Sequence, residues 1–307
     1  MFRKINIKLL ATIFVVLLAI VVLVELVDSK KGGRTFREDL VEVNAEDVTA
    51  LEIYPKVTGG EMIKLFREND SWKVESAGKI HTADQSVAGS MIEQLNQAAP
   101  ESMVARNEDR WEQFEVTDSL GTRVKLYSGE DLLTDLVIGK FSFSQPRKMT
   151  SYVRLSGEDE VYGVDGMLGM SFNRNLNSFR DRTVINSNSA DWTKLTFSYP
   201  ADSSFTLQES GEDWMIGDAV ADSASVVQYF NSISNLNEGQ FSEEESVGSY
   251  SHQLVIEGNN QMTRITVKGN ERTEEDFLIE SSQNPGTIFN SRDLAEKVFT
   301  GQSKFLK

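Results

Sequence analysis

Asp47-Val48-Thr49-Ala50-Leu51-Glu52-Ile53 and Asp191-Trp192-Thr193-Lys194-Leu195-Thr196-Phe197 share one pattern, D-x-T-x-L-x-apolar, 144 residues apart. Two further matches keep the same order. Ser71-Trp72-Lys73-Val74 corresponds to Asp213-Trp214-Met215-Ile216, and Ala83-Asp84 to Ala221-Asp222, each of the latter ahead of an apolar periodic run. The spacing contracts from 144 to 142 to 138 residues, as it does when loops shorten and order is kept. The chain reads as an internal duplication.

Each copy opens with period-2 alternation. Leu51 and Ile53, then Met62, Lys64 and Phe66, then Trp72 and Val74 describe a meander, with Gly59-Gly60 and Asn69-Asp70 at the turns. In the second copy Leu195 and Phe197, Phe205 and Leu207, and Trp214 and Ile216 repeat it, with a turn at Gly211-Glu212-Asp213. Helical spacing follows in both. Asp84 is placed as N-cap ahead of Val87, Ala88, Met91, Ile92 and Leu95, and Asp222 ahead of Val226, Val227, Phe230, Ile233 and Leu236. Further strands are expected at Val124 to Tyr127, Leu132 to Ile138, Tyr152 to Leu155 and Val161 to Val164, with counterparts from Gln253 to Phe289.

Working outward, Leu9 to Val27 reads LLATIFVVLLAIVVLVELV, in which Glu25 is the one strongly polar residue. As a helix it spans roughly 28 Å, close to the hydrocarbon thickness of a bilayer. It lacks a small-x-small exit, and Glu25 lies near enough to its end to reach the interface, so it reads as an uncleaved signal anchor. The expected organisation is a cytoplasmic N-terminus (1–8), a transmembrane anchor (9–27), a charged juxtamembrane linker (28–44), a first unit (45–186) and a second unit (187–307). The fold expected is α+β: an N-terminal transmembrane helix followed by two tandem duplicated units, each a mostly antiparallel sheet with a packed helix. Basic residues flank the span almost equally, at Arg3, Lys4 and Lys8 in front and Lys30, Lys31, Arg34 and Arg37 behind. A short basic amino end before a single span places the large domain outside the inner, cytoplasmic membrane.

Charge and composition narrow the chemistry. Of 31 Lys+Arg and 47 Asp+Glu, residues 1–34 hold six basic and two acidic, so the remainder is the source of the acidity. Such a domain is repelled by nucleic acid and by anionic lipid. With no cysteine, there is no disulfide, thiol nucleophile or thiolate metal site, and the two histidines, His81 and His252, cannot build a three-histidine centre. Gly163-Val164-Asp165-Gly166-Met167-Leu168-Gly169 has the wrong spacing for a dinucleotide loop and reads as a strand-to-helix connection. Glu158-Asp159-Glu160, Glu243-Glu244-Glu245 and Glu274-Glu275-Asp276 lack the alternation of a calcium loop and read as solvated turns. No G-x-S-x-G elbow occurs. His81 is placed in a loop, and neither histidine has a marked nucleophile nearby. No catalytic residue, cofactor or metal site is assigned, and an enzyme is not expected.

Four positions are assigned structural roles: Trp72 and Trp214 as core anchors, Asp84 and Asp222 as helix caps. The most unusual polar cluster is Phe179-Arg180-Asp181-Arg182. It has two readings, an Arg–Asp network clamping the units together, or a site for docking a partner or an anion.

The ordered series Trp72-Lys73-Val74, Ala83-Asp84 with its helix, Leu136-Val137-Ile138-Gly139, Ser151-Tyr152-Val153-Arg154, Glu160-Val161-Tyr162-Gly163-Val164 and Phe179-Arg180-Asp181-Arg182 resembles domain-of-unknown-function family 4340 (DUF4340). The resemblance implies a bacterial single-span protein with its domain outside the cytoplasmic membrane. It also implies an accessory role beside an ABC-type permease and a gliding-motility-like auxiliary protein. It carries no catalytic residue. The second copy has no obvious F-R-D element. Two functions are thus expected in order: a membrane-anchored accessory or interaction protein, or an envelope module capturing a small sugar, peptide or lipid between the units. A hydrolase ranks third.

Overall fold

Alternating apolar and polar residues place every second side chain on one sheet face, and the two copies use this to build the same object twice. The computed structural model describes residues 36–145, 148–258 and 263–306. The first unit contains β1 (Ala50–Tyr54), β2 (Ile63–Glu68), β3 (Ser71–Ser76), β4 (Lys79–Thr82), β5 (Pro100–Ala105), β6 (Thr122–Ser128), β7 (Asp131–Ser144), β8 (Lys148–Leu155) and β9 (Val161–Asp165). After β10 (Thr183–Asn186) the second unit adds β11 (Trp192–Ser198), β12 (Phe205–Ser210), β13 (Asp213–Ile216), β14 (Ala219–Val220), β15 (Asn235–Asn237) and β16 (Phe241–Ser242). It ends with β17 (His252–Gly258), β18 (Arg264–Glu271), β19 (Phe277–Ser281) and β20 (Ile288–Asn290).

The first sheet runs β4-β3-β2-β1-β6-β7-β8-β9-β5 and the second β14-β13-β12-β11-β17-β18-β19-β20-β16, the same nine positions in the same order. Register agrees as well: Leu51 faces Leu65 and Leu126, while Leu195 faces Leu207 and Ile256. The β2–β3 turn carries Asn69 and Asp70 at φ 48° and 64°, the left-handed pair that matches the twist of a tight hairpin.

One face of each sheet is covered by a helix. Gln85–Gln97 buries Ala88, Met91, Ile92 and Leu95 against Leu51, Ile53, Val74 and Val124. Ser223–Ile233 buries Val226, Tyr229, Phe230 and Ile233 against Leu195, Phe197 and Leu254. Each large apolar side chain so buried contributes about 1.5–3 kcal/mol. On the opposite face of the first sheet, Val137 and Val161 meet Phe114 and Val116 in a smaller cluster.

The expectation of an α+β fold is corrected here. About 43% of the described residues are strand and 21% helix, and antiparallel sheet dominates. Sequence reading undercounts strand because β5 and β16 close each sheet beside β9 and β20 with little alternation of their own, and β7 runs 14 residues. The transmembrane helix expected at Leu9–Val27 lies outside the described residues. Among the described residues no helix is long and apolar enough to cross a membrane.

Strand β10, which the sequence reading places in the first unit, pairs with β15 of the second. The lead-in residues Leu40 and Val41 belong to the first core. The equivalent positions 144 residues later, Val184 and Ile185, belong to the second.

Candidate functional site

The segment 179–182 is where the two units meet. Phe179 is fully buried in the first core, and its carbonyl accepts the Asp84 amide at 2.9 Å. Arg180 forms an isolated bridge with Ala83, and the Asp181 amide donates to the Thr82 carbonyl at 2.9 Å. The same segment is held from the second unit. Asn284 Nδ2 donates to the Asp181 carbonyl at 2.9 Å, and the Glu238 amide donates to the Arg182 carbonyl at 2.9 Å. The Asp181 carboxylate accepts the Thr183 amide at 2.9 Å and so fixes a local turn. Arg182 is exposed.

Arg180 takes its carboxylate from elsewhere. Its side chain is 2% exposed, and its guanidinium lies 3.8 Å from the ring centroid of Phe241. The nearest carboxylate is Glu243, with Oε1 at 3.6 Å from Nη1, and Asn177 Oδ1 accepts from Nη1 at 3.4 Å. The buried Nε has no partner. Removing a guanidinium from water is costly unless its donors are satisfied, so Arg180 is underpaired for its depth. Glu243 also accepts from Lys79 Nζ at 2.5 Å, across the seam. The Lys79 hydrogen bond holds the Glu243 carboxyl below its usual range, with the Arg180 charge adding to the effect. His81, on β4 between them, has a buried Nε2 without a partner. Burial first, then the charge of Arg180, lower its basicity.

Sequence reasoning thus found one side of this junction and missed Lys79, His81, Phe241 and Glu243. The reading of His81 as a loop residue is corrected, since it sits on edge strand β4, paired with Val74. Glu243 is exposed in its acidic turn as expected, and only the return of the chain after β16 shows what it faces. The pseudo-equivalent positions in the second unit carry no such chemistry. Register places Ala219 where the first unit has His81.

The remaining assigned residues are positioned as follows. Trp72 is 6% exposed in the first core, with its amide donating to Gln85 Oε1 at 2.7 Å and the Arg67 guanidinium 5.0 Å from its ring. Trp214 is only half-buried and packs edge-on against Phe230, with centroids 4.9 Å apart. The deeper aromatic anchor of the second unit is Trp192, 2% exposed. Asp84 caps its helix by accepting the Ser86 amide at 2.9 Å, and Asp222 caps its own through the Ser225 amide at 3.1 Å.

A family model for a domain of unknown function, DUF4340, matches residues 72–246, more than half of the chain. The chain belongs to the DUF4340 family. The DUF4340 match runs across the seam and contains Lys79, His81, Arg180, Phe241 and Glu243. No curated protein matches the chain, and no solved structure does.

Two further surface features lie away from the seam. At the far end of β7 and β8, a bulge between Ile138 and Phe141 starts a two-stranded arm. Phe141 and Phe143 on it are 54% and 57% exposed. At its base is a depression of about 380 Å³ lined by Leu120, Ile138, Phe141 and Met170, with the Lys56–Glu115 ion pair on its wall. The corresponding end of the second unit holds a depression of about 510 Å³, where Tyr199 and Phe299 flank His252. Among the described residues no cluster of three metal-ligating side chains occurs.

Proposed function

We propose that this DUF4340 protein is a membrane-anchored, extracytoplasmic accessory subunit without catalytic activity, working beside an ABC-type permease and its auxiliary protein in the bacterial envelope. The observation that carries this reading is the arm. Two half-exposed phenylalanines near the end of a strand pair, beside an apolar depression and the exposed Met170, make a surface suited to another protein. The arm also has reach. The lead-in residues Arg37, Leu40 and Val41 pack beside Leu132–Asp135, so the tip at Ser144 stands roughly 33 Å away along β7. An anchor at Leu9–Val27 would hold the first unit near the inner membrane, with the arm available to a neighbour in the same membrane.

Site-specific photocrosslinking tests it. A crosslinker at Phe143, in cells carrying the neighbouring transporter genes, is expected to capture a permease or auxiliary subunit, and the same probe at exposed Glu212 is not. Capture of no transporter component from Phe143 while the span at Leu9–Val27 also gives none would sink the reading.

The second reading, capture of a sugar, peptide or lipid between the units, has less support. Arg180, Phe241 and Glu243 occupy the seam, and the depressions described above are each lined by one unit.

A further inference from the structure

The seam carries charged groups from both units. Lys79–Glu243 joins a residue before Phe179 directly to a residue after Asn186. Arg180 adds a second contact to Glu243 and a stack on Phe241. Further hydrogen bonds between the halves run through the segment 179–186 itself, whose strand β10 changes register between Thr183 and Ile185. Relative motion of two domains is the default across a polar interface, so these charged groups bear on whether the halves move.

Two cationic side chains share one carboxylate there, with His81 close enough to feel all three charges. Glu243 gives one oxygen to Lys79 and presents the other to Arg180. His81 stands beside both, and its buried Nε2 meets no acceptor. The groups whose charge acts on His81 are Arg180, Glu243 and Lys79, from the 179–182 segment, the loop after β16, and β4 itself. With His81 neutral, two cations face one anion. A proton on His81 makes three, and the added charge has no hydrogen-bond acceptor waiting for it.

We propose that the seam is a proton-operated latch: protonation of His81 breaks the hold of Arg180 and Lys79 on Glu243 and lets the two units swing about Thr183–Asn186. Acidification outside the membrane then changes the angle between the units while each sheet stays folded. The proposal does not depend on what the arm contacts.

Because the chain has no cysteine, one pair of introduced cysteines reports the angle cleanly. Glu93→Cys and Gln228→Cys lie at exposed positions on the two capped helices. Spin labels there, on the full chain in lipid nanodiscs, give the distance distribution at pH 7.5 and pH 5.5. The expected result is a second population at pH 5.5, with the open-to-closed ratio rising by at most about tenfold per pH unit, the limit for one linked proton. In a His81→Gln background the neutral-pH distribution persists at pH 5.5, with His81→Asn as the replacement if the first variant misfolds. Glu243→Gln opens the seam already at pH 7.5. One distribution at both pH values in the parent overturns the latch. So does acid opening that survives in the folded His81 variant, or a closed Glu243→Gln protein.

Discussion

The Asp222 amide donates a 2.7 Å hydrogen bond to the carbonyl of Phe305, as the Asp84 amide does to Phe179 at 2.9 Å. In both units a buried phenylalanine at the end of a short 3-10 turn, Leu176–Ser178 or Gln302–Lys304, thus seals the start of the covering helix. The second copy, which lacks an F-R-D run in sequence, keeps its phenylalanine and has Leu306 in place of Arg180.

Phe305→Ala should therefore damage the second unit selectively. The ring is fully buried against Phe197, Phe205 and Tyr229, and its removal is expected to cost about 3–5 kcal/mol. Urea unfolding followed by far-ultraviolet dichroism should then resolve an early transition. Loss of less than about 1 kcal/mol would show that the seal is not structural.

The caps predict a milder, matched pair of effects. Asp84→Ala and Asp222→Ala each remove the acceptor for a first-turn amide and are expected to cost about 0.5–2 kcal/mol. Asn at either position should restore most of the loss. If Asn is as damaging as Ala, the carboxylates have a role other than capping.

Gly139 permits the bulge from which the arm springs. A β-carbon there would lie 2.1 Å from the Phe114 carbonyl oxygen and 2.7 Å from Val116 Cγ1, and the first of these is backbone. Gly139→Ala is expected to cost about 1–3 kcal/mol and to shift the arm, whereas Gly129→Ala meets no neighbour and suffers only from its positive φ. Proteolysis at the arm distinguishes the two, with faster cleavage expected for the Gly139 variant.

Stability should fall in acid, and the sign follows from the histidines. Burial, then the charge of Arg292, depresses His252 below its ordinary value of 6.5 in the folded chain, against an opposing pull from Glu271. The folded state therefore binds the proton later than the unfolded one. The contribution is complete above about pH 6.5 and is lost as pH drops below it toward the depressed value. Thermal unfolding between pH 7.5 and 5.5 should show the second unit losing stability, and His252→Gln should flatten that slope. An unchanged slope in the variant would place the acid sensitivity elsewhere.

Much of the sheet is legible in sequence. Leu51 and Ile53, Trp72 and Val74, Leu195 and Phe197 alternate because one face is buried, and the inner positions of β1, β3 and β11 follow from that period alone. The strands that complete each sheet are less so. Pro100–Ala105 pairs with β9 through two register shifts, and Phe241–Ser242 is two residues long, so neither shows a period. The junction is illegible for a different reason. Lys79, His81 and Glu243 are ordinary surface residues by local pattern, and their meeting depends on how the second unit folds back over β4. Trp192 escaped notice as a core anchor because the repeat places valine, Val48, at the same point of the first copy.

The position of Phe179 and Phe305 in the chain also sets an order of assembly. The first core is complete once Phe179 has been made, whereas the second still lacks a fully buried ring until Phe305, the last described core residue, is delivered. A chain emerging from its amino end would carry a finished first unit beside a second whose aromatic cluster of Phe197, Phe205 and Tyr229 stays open until Phe305 arrives. During that interval the second unit is open to misassembly while the first is already closed.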